Sequence, residues 1–422
     1  MSRSLFFNTA EFSRPWIALA LGAALSACAT SPAPPSSDAA ASPPPVPVLP
    51  FDEAVLKAAN DLLGKAQKSS TNSTPSAKQI LVIDPLVDGM TGHQSTATLS
   101  MQSRIEQLAR DQYPQFDVQP FSAATVDRSP MVLVGTFTPV NQEGKTEGTR
   151  EAWRICLALA DLQSGKIVAK GVARAQMQGV DAKPTRYFRD SPAWTKDPAI
   201  EGYIKTCQGT KPGDPINPVY ATRIKTAAFI SEAIEEYNAG RYQQALNRYQ
   251  TALSMPGGEQ LRTYNGIYLA NWKLGRRAAA TQSFGQLVDY GLANKSLAIK
   301  FLFKPGSTTF LPNPQVAGAY PLWLKQIATH TAKSNACLEI AGHTSPTGPE
   351  PINERLSLRR AEYIQQRLES QSSALSKRMI ATGKGSREAL VGTGKDDITD
   401  ILDRRVSFDV IDCATPGGAT RS

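Results

Sequence analysis

Histidine is scarce in this chain, with three among 422 residues, so a histidine-rich metal site is not expected. No apolar run reaches the ~18 residues that a membrane-spanning helix needs. No cysteine pair has a CxxC or zinc spacing. The GxSxG and HExxH patterns of hydrolases are missing. Gly392-Thr393-Gly394-Lys395 lacks the glycine five residues before its Gly-Lys step that a phosphate-binding loop requires. His93 follows a glycine-bearing turn with no nucleophile or base close to it in sequence. These gaps lead to the expectation of a chain without catalytic centre, metal or cofactor.

What is present is length. A chain of 422 residues is about two to four times a typical domain, so several units in series are expected. At 41% hydrophobic and 20% charged, with mean hydropathy −0.28, those units can bury ordinary cores. Eight of the 30 prolines crowd between Cys28 and Pro50, which marks one local linker rather than general disorder.

The five cysteines are an odd number, so one needs its own explanation. Residues 1–27 carry Arg3 and Arg14, an apolar run from Trp16 to Leu25, and then Leu25-Ser26-Ala27-Cys28. A basic segment, a short apolar core and a small-residue exit read as an export signal. The last four residues resemble the lipobox of bacterial lipoproteins, which implies acylation at Cys28, and Ala29 in place of Asp implies the outer membrane. Glu11 departs from the basic pattern. Cys156, Cys207, Cys337 and Cys413 remain, an even number in an oxidising compartment. Of three pairings, Cys156 with Cys207 and Cys337 with Cys413 is favoured because each pair falls within one expected domain. The net charge of +9 becomes +8 without the signal, which holds two Arg and one Glu. No aromatic-interleaved basic patch accompanies that surplus, so anionic envelope polymers rather than nucleic acid are the expected contact.

Residues 28–50, mostly Pro, Ala and Ser, form the expected tether, reaching on the order of 70 Å if extended. Residues 51–220 read as an α/β unit. Phe51, Val55, Leu56, Ala59, Leu62 and Leu63 have helical spacing, as do Leu99, Ile105 and Leu108 within Thr98 to Arg110. Strands are expected at 79–84, 131–135, 152–162 and 167–176, the last two joined by the turn Gln163-Ser164-Gly165-Lys166. This order is similar to the periplasmic α/β domains of the curli-secretion lipoprotein, the penicillin-binding-protein activators and the N-terminal TolB domain. Asp84 and Asp88 flank the first strand's end, where α/β folds often place ligands, although such a pair more often terminates the strand and caps the next segment, which is the favoured expectation. Residues 221–292 contain a repeat: Gly240-Arg241-Tyr242, Ala245, Tyr249 and Ala252 recur as Gly275-Arg276-Arg277, Ala280, Phe284 and Leu287 at an offset of 35. This resembles tetratricopeptide repeats. Two copies are too few to stand alone, so they must lean on their neighbours.

Residues 293–413 carry the strongest pattern. Leu297, Ile299, Phe301 and Phe303 alternate with Ala298, Lys300, Leu302 and Lys304, which predicts a half-buried strand. Then come Gly342-His343-Thr344-Ser345, Gly348, Asn353-Glu354-Arg355-Leu356-Ser357-Leu358-Arg359-Arg360-Ala361, Gly383-Lys384-Gly385 and Asp403-Arg404-Arg405-Val406. These resemble the GHTD, NxxLSxxRA, GxG and NRRV elements of the OmpA-like C-terminal peptidoglycan-binding domain, shared with the peptidoglycan-associated lipoprotein. The resemblance implies a stem-peptide site of Thr344, Ser345, Gly348, Asn353, Leu356, Ser357, Arg360 and Arg404, with the Arg360 fork on a diaminopimelate carboxylate. Asn353, Ser357 and Arg360 share one helical face, which Leu356, Ile364 and Leu368 continue toward a core. A domestic partner for Arg360, such as Glu339 or Asp403, is the competing expectation. The family Asp is Ser345 here, a loss of one charge-assisted contact and of ~1.5 to 3 kcal/mol. Asp403 and Ser407 are lesser departures.

The expected chain is thus multidomain α+β: a periplasmic α/β domain, a short all-α tetratricopeptide-like pair, an OmpA-like α/β sandwich and a disordered tail at 414–422. Its expected role is that of an outer-membrane lipoprotein, held by lipid at Cys28 and facing the periplasm. It would bind peptidoglycan weakly and envelope proteins through the repeats. The alternative is an accessory lipoprotein of an envelope secretion or assembly machine whose OmpA-like domain has lost strong peptidoglycan binding.

Overall fold

A computed structural model of the chain describes residues 47–70, 78–312, 318–392, 394, 396 and 398–413. The expected signal at 1–27, Cys28, most of the tether and the tail at 414–422 lie outside the described residues.

The first half is built on a seven-stranded sheet of order β1-β7-β6-β5-β2-β4, with β3 paired to β5. Its elements run β1 (Val48–Leu49), α1 (Phe51–Ser70), β2 (Gln79–Ile83), β3 (Val87–Asp88), α2 (Thr96–Gln112) and β4 (Phe116–Val118). They continue as α3 (Ala123–Val126), β5 (Met131–Val140), β6 (Ala152–Asp161), β7 (Lys166–Gln176), α4 (Arg186–Asp190), α5 (Pro198–Gln208) and α6 (Pro218–Ala221). β5, β6 and β7 form an antiparallel meander, while β2 pairs parallel with both β4 and β5. Val48 and Leu49, expected in the tether, instead add a parallel edge strand to β7.

Both faces of this sheet are covered, which is why β5 and β6 are buried almost throughout. Leu81, Leu133 and Leu157 pack under α1 and α2, whereas Val82, Val134 and Ala158 pack against Ile200 and Tyr203 of α5. Ser95 and Thr98 close a reciprocal cap at the start of α2, at 2.8 and 3.3 Å. Leu56 and Leu99, expected on buried faces, are 36% and 48% exposed, and the neighbouring Ala58 and Met101 are buried. Asp88 accepts from the Met90 and Thr91 amides at 2.9 and 2.8 Å, a local cap. Asp84 accepts from the Tyr220 hydroxyl at 2.6 Å.

Four helices follow as two hairpins, α7 (Ile224–Asn238) with α8 (Tyr242–Ser254) and α9 (Leu261–Lys273) with α10 (Arg277–Ala293). Gly240 and Gly275 sit at the equivalent turns with φ of 80° and 74°, a backbone that side chains resist. Ala245 and Ala280 are fully buried at the helix contacts. The hairpins have no core of their own. Tyr249 and Phe284 belong to the same apolar cluster as Trp323, Ile340, Ile364 and Phe408 of the C-terminal region.

That region is a four-stranded sheet of order β10-β9-β11-β8. Its elements are β8 (Leu297–Ile299), α11 (Tyr320–Ser334), β9 (Cys337–Gly342), α12 (Glu350–Gln371), β10 (Met379–Gly383), α13 (Ile398–Asp403) and β11 (Val406–Ile411). The half-buried strand expected over 297–304 ends at Ile299, and its outward face is covered: Lys300 and Leu302 are only 3% and 8% exposed. The cause is the segment after α4, where Trp194 donates to the Ala298 carbonyl and Lys300 to the Pro192 carbonyl, at 2.9 and 2.8 Å. Disulfides join Cys156 to Cys207, β6 to α5, and Cys337 to Cys413, the start of β9 to the end of β11. Antiparallel pairing of Ile411 with Cys337 brings the second pair to one end of the sheet, with Cα atoms 5.2 Å apart.

From Val46 onward the chain clusters as one compact unit. Among the described residues no helix is long and apolar enough to cross a membrane.

Candidate functional site

Strand β9 ends at Gly342, and helix α12 lies across that end. A side chain at Gly342 would collide with the Ser357 carbonyl, so glycine is what lets the helix sit so close. Residues 343–349 therefore turn over the helix's first turns. Asn353 donates to the Thr347 and Gly348 carbonyls, both at 3.3 Å, which ties the turn to the helix. Ser345 donates to the Thr347 hydroxyl at 3.2 Å.

A pocket of about 180 Å³ opens there. It brings together Thr344, Ser345, Gly348, Asn353, Leu356, Arg360 and Arg404. Ser357 is the expected site residue that does not line it. Its hydroxyl donates to the Glu354 carbonyl at 2.8 Å and accepts from the Gly385 amide at 2.9 Å, so it holds the 383–385 turn instead.

Arg360 is 1% exposed, and its partners are neither Glu339 nor Asp403. It donates to three backbone carbonyls, Ser307 at 3.0 Å, Lys304 at 3.1 Å and His343 at 3.2 Å, with its guanidinium 5.0 Å from the Phe303 ring centre. Burial, with Arg404 nearby, pushes its pKa down to about 9. Glu339 is occupied by Thr382 at 2.6 Å and Lys384 at 2.9 Å. Buried Asp403 accepts from the Leu390 and Gly392 amides, at 2.8 and 2.6 Å. Those residues are also gripped from the first half of the chain, where Arg150 donates to the carbonyls of Ala389, Leu390 and Gly392.

His343 acts as a tie rather than a reactive group. Its Nε2 meets the Ser407 hydroxyl at 3.0 Å, and its main chain bonds Arg405. Burial holds its pKa well below the ordinary imidazole range. Thr344 is 2% exposed, and among the described residues its hydroxyl has no hydrogen-bond partner. A buried hydroxyl on a pocket wall with nothing to bond is what a ligand would satisfy.

Five lining residues carry no motif signal: Pro305, Gly306, Thr347, Ile352 and Asp396. Asp396 is the informative one. Its carboxylate pairs with the guanidinium of Arg404, so the pocket holds an acidic group although position 345 is serine. Nothing in its spacing ties it to residues 342–361, so only the fold reveals it.

Residues 302–399 match the OmpA family. They form an OmpA family domain. The match lies within the span of 293–413 that the motifs outline. Among solved structures, the OmpA-like domain is similar to the peptidoglycan-associated lipoprotein from Burkholderia pseudomallei, at 23% identity over 26% of this chain and 88% of that one, TM-score 0.23. It is also similar to the cell wall anchor of the T6SS from Pseudomonas aeruginosa, at 24% identity over 27% and 78%, TM-score 0.22. A third is the C-terminal domain of Helicobacter pylori MotB, at 15% identity over 26% and 83%, TM-score 0.23. The assignment of the OmpA-like domain rests on the family match rather than on these likenesses. No curated protein matches the chain.

Proposed function

We propose that the chain is a non-catalytic cell-envelope protein that binds peptidoglycan without covalent attachment through its OmpA-like domain. The observation that carries this is the pocket on α12, where the family motif converges and the Thr344 hydroxyl waits unbonded. Arg404 and Asp396 set a cation and an anion side by side, which suits the amino-acid head of diaminopimelate, itself both ammonium and carboxylate. In this reading Asp396 supplies the charge that Ser345 lacks. Cys28 is the lipid anchor to the outer membrane, and the two tetratricopeptide-like hairpins receive envelope proteins.

A second reading is favoured by one observation, that each nitrogen of the Arg360 guanidinium already donates to a backbone carbonyl. In it the domain keeps the fold, docks within a secretion or assembly machine, and holds the wall weakly or not at all. Co-sedimentation with purified sacculi separates the two. Wild-type protein should pellet with sacculi, and Ser345→Asp should pellet more, by about tenfold in affinity for one charge-assisted contact. Absence of both from the pellet removes the peptidoglycan reading and leaves the second.

A further inference from the structure

A larger cavity, about 380 Å³, lies away from the wall-facing pocket. It forms where α9, the end of α4 and the OmpA-like domain meet. Tyr268, Leu269, Trp272, Leu302, Trp323 and Leu402 give it apolar walls, and Arg189, Asp190, Lys273 and Lys300 supply charge, with Arg189 itself 3.7 Å from Asp190. Its volume is in the range of small-ligand sites, which favour such junctions.

The walls are fixed before any ligand arrives. Trp323 donates through Nε1 to the Tyr268 hydroxyl at 2.8 Å and stacks on Phe284 at 5.6 Å. The Arg277 guanidinium lies 3.7 Å from the Trp272 ring centre.

The charges are unbalanced. Asp190 is occupied, accepting from the Tyr237 hydroxyl at 2.9 Å and pairing with Lys273 at 3.2 Å. Lys300 is 3% exposed and donates to the Phe188 carbonyl at 2.5 Å, with the Trp194 ring centre 5.0 Å away. Among the described residues no carboxylate stands within ion-pair distance of it. An ammonium has three donors, and a buried one is ordinarily matched by a countercharge. Burial pushes the Lys300 pKa down to about 7, with Asp190 opposing the shift.

We propose that this cavity is a binding site for a small carboxylate with a flat apolar body, the carboxylate on Lys300 and the body against Trp272 and Trp323. The site does not depend on peptidoglycan binding. It is assembled from both halves of the chain, so the intact protein is required.

The test is isothermal titration of the full chain with 2-naphthoate and with 2-naphthalenemethanol, its neutral counterpart. The acid should bind saturably and about tenfold more tightly than the alcohol, the difference expected of one charge-assisted contact. Lys300→Met should erase that preference, and Trp272→Ala should weaken both probes. No saturable binding of the acid, equal binding of the two probes to wild type, or full retention of the acid by both variants overturns the proposal. Should Lys300→Met fail to fold, the wild-type comparison and Trp272→Ala still decide.

Discussion

Arg360 shows how a motif residue can serve the fold before it serves a ligand. Its three carbonyl partners come from two separate stretches, 304–307 and residue 343, so the guanidinium fastens the chain that forms the pocket wall. Arg360→Lys should therefore cost stability, about 2 to 4 kcal/mol, because one ammonium cannot reproduce a planar fork of donors. Urea unfolding checks this, since an arginine that only touched ligand would leave the midpoint unchanged. Asp84 makes a second prediction. Burial raises its pKa from 3.8 to about 6, against the opposing Tyr220 hydrogen bond. Between those values the unfolded chain has released the proton and the folded chain retains it, so wild-type stability falls as pH rises through that window. Asp84→Asn keeps an acceptor for Tyr220 and removes the cost. It should be more stable than wild type at pH 7.5 by ~2 to 3 kcal/mol and no more stable near pH 3.5, as thermal unfolding at the two pH values would show.

At the scale of elements, the disulfides staple each sheet at one place. Cys337–Cys413 closes a separation of 76 residues and Cys156–Cys207 one of 51. Each is worth about 4 kcal/mol in the chain-entropy model. Cys413→Ser should lower the unfolding free energy by about that amount, measured under non-reducing conditions, and dithiothreitol should add no further loss at that bridge. The elements also show what the sequence could reveal. Periodicity located α1, α2 and the β6–β7 hairpin, because each has one strongly apolar face or a turn of fixed chemistry. It misjudged Leu56 and Leu99, because helical spacing identifies a stripe but not which rim of it the neighbour covers. It overextended β8, because Lys300 and Lys304 resemble solvent-facing residues and only the distant segment 188–194 buries one of them. The motif residues of the pocket were legible from spacing along one helix. Asp396 was not, since it reaches the site from a loop whose approach is set by tertiary packing.

For the whole molecule, the boundaries expected from composition are not the boundaries of the cores. The helical hairpins share one apolar cluster with the OmpA-like domain, and Phe284, Trp323 and Tyr268 interlock across that junction. Arg150 reaches from the loop before β6 to the carbonyls of Ala389, Leu390 and Gly392 in the OmpA-like domain. The pocket thus belongs to a single body that runs from Val46 onward. The central claim is that Asp396 and Arg404 together receive the head of diaminopimelate. Calorimetric titration of the full chain with a soluble stem tripeptide ending in diaminopimelate tests it most directly. The account predicts saturable binding to wild type and about a tenfold loss in Asp396→Asn, with unchanged thermal unfolding. Absent binding to wild type, or undiminished binding by Asp396→Asn, would contradict it.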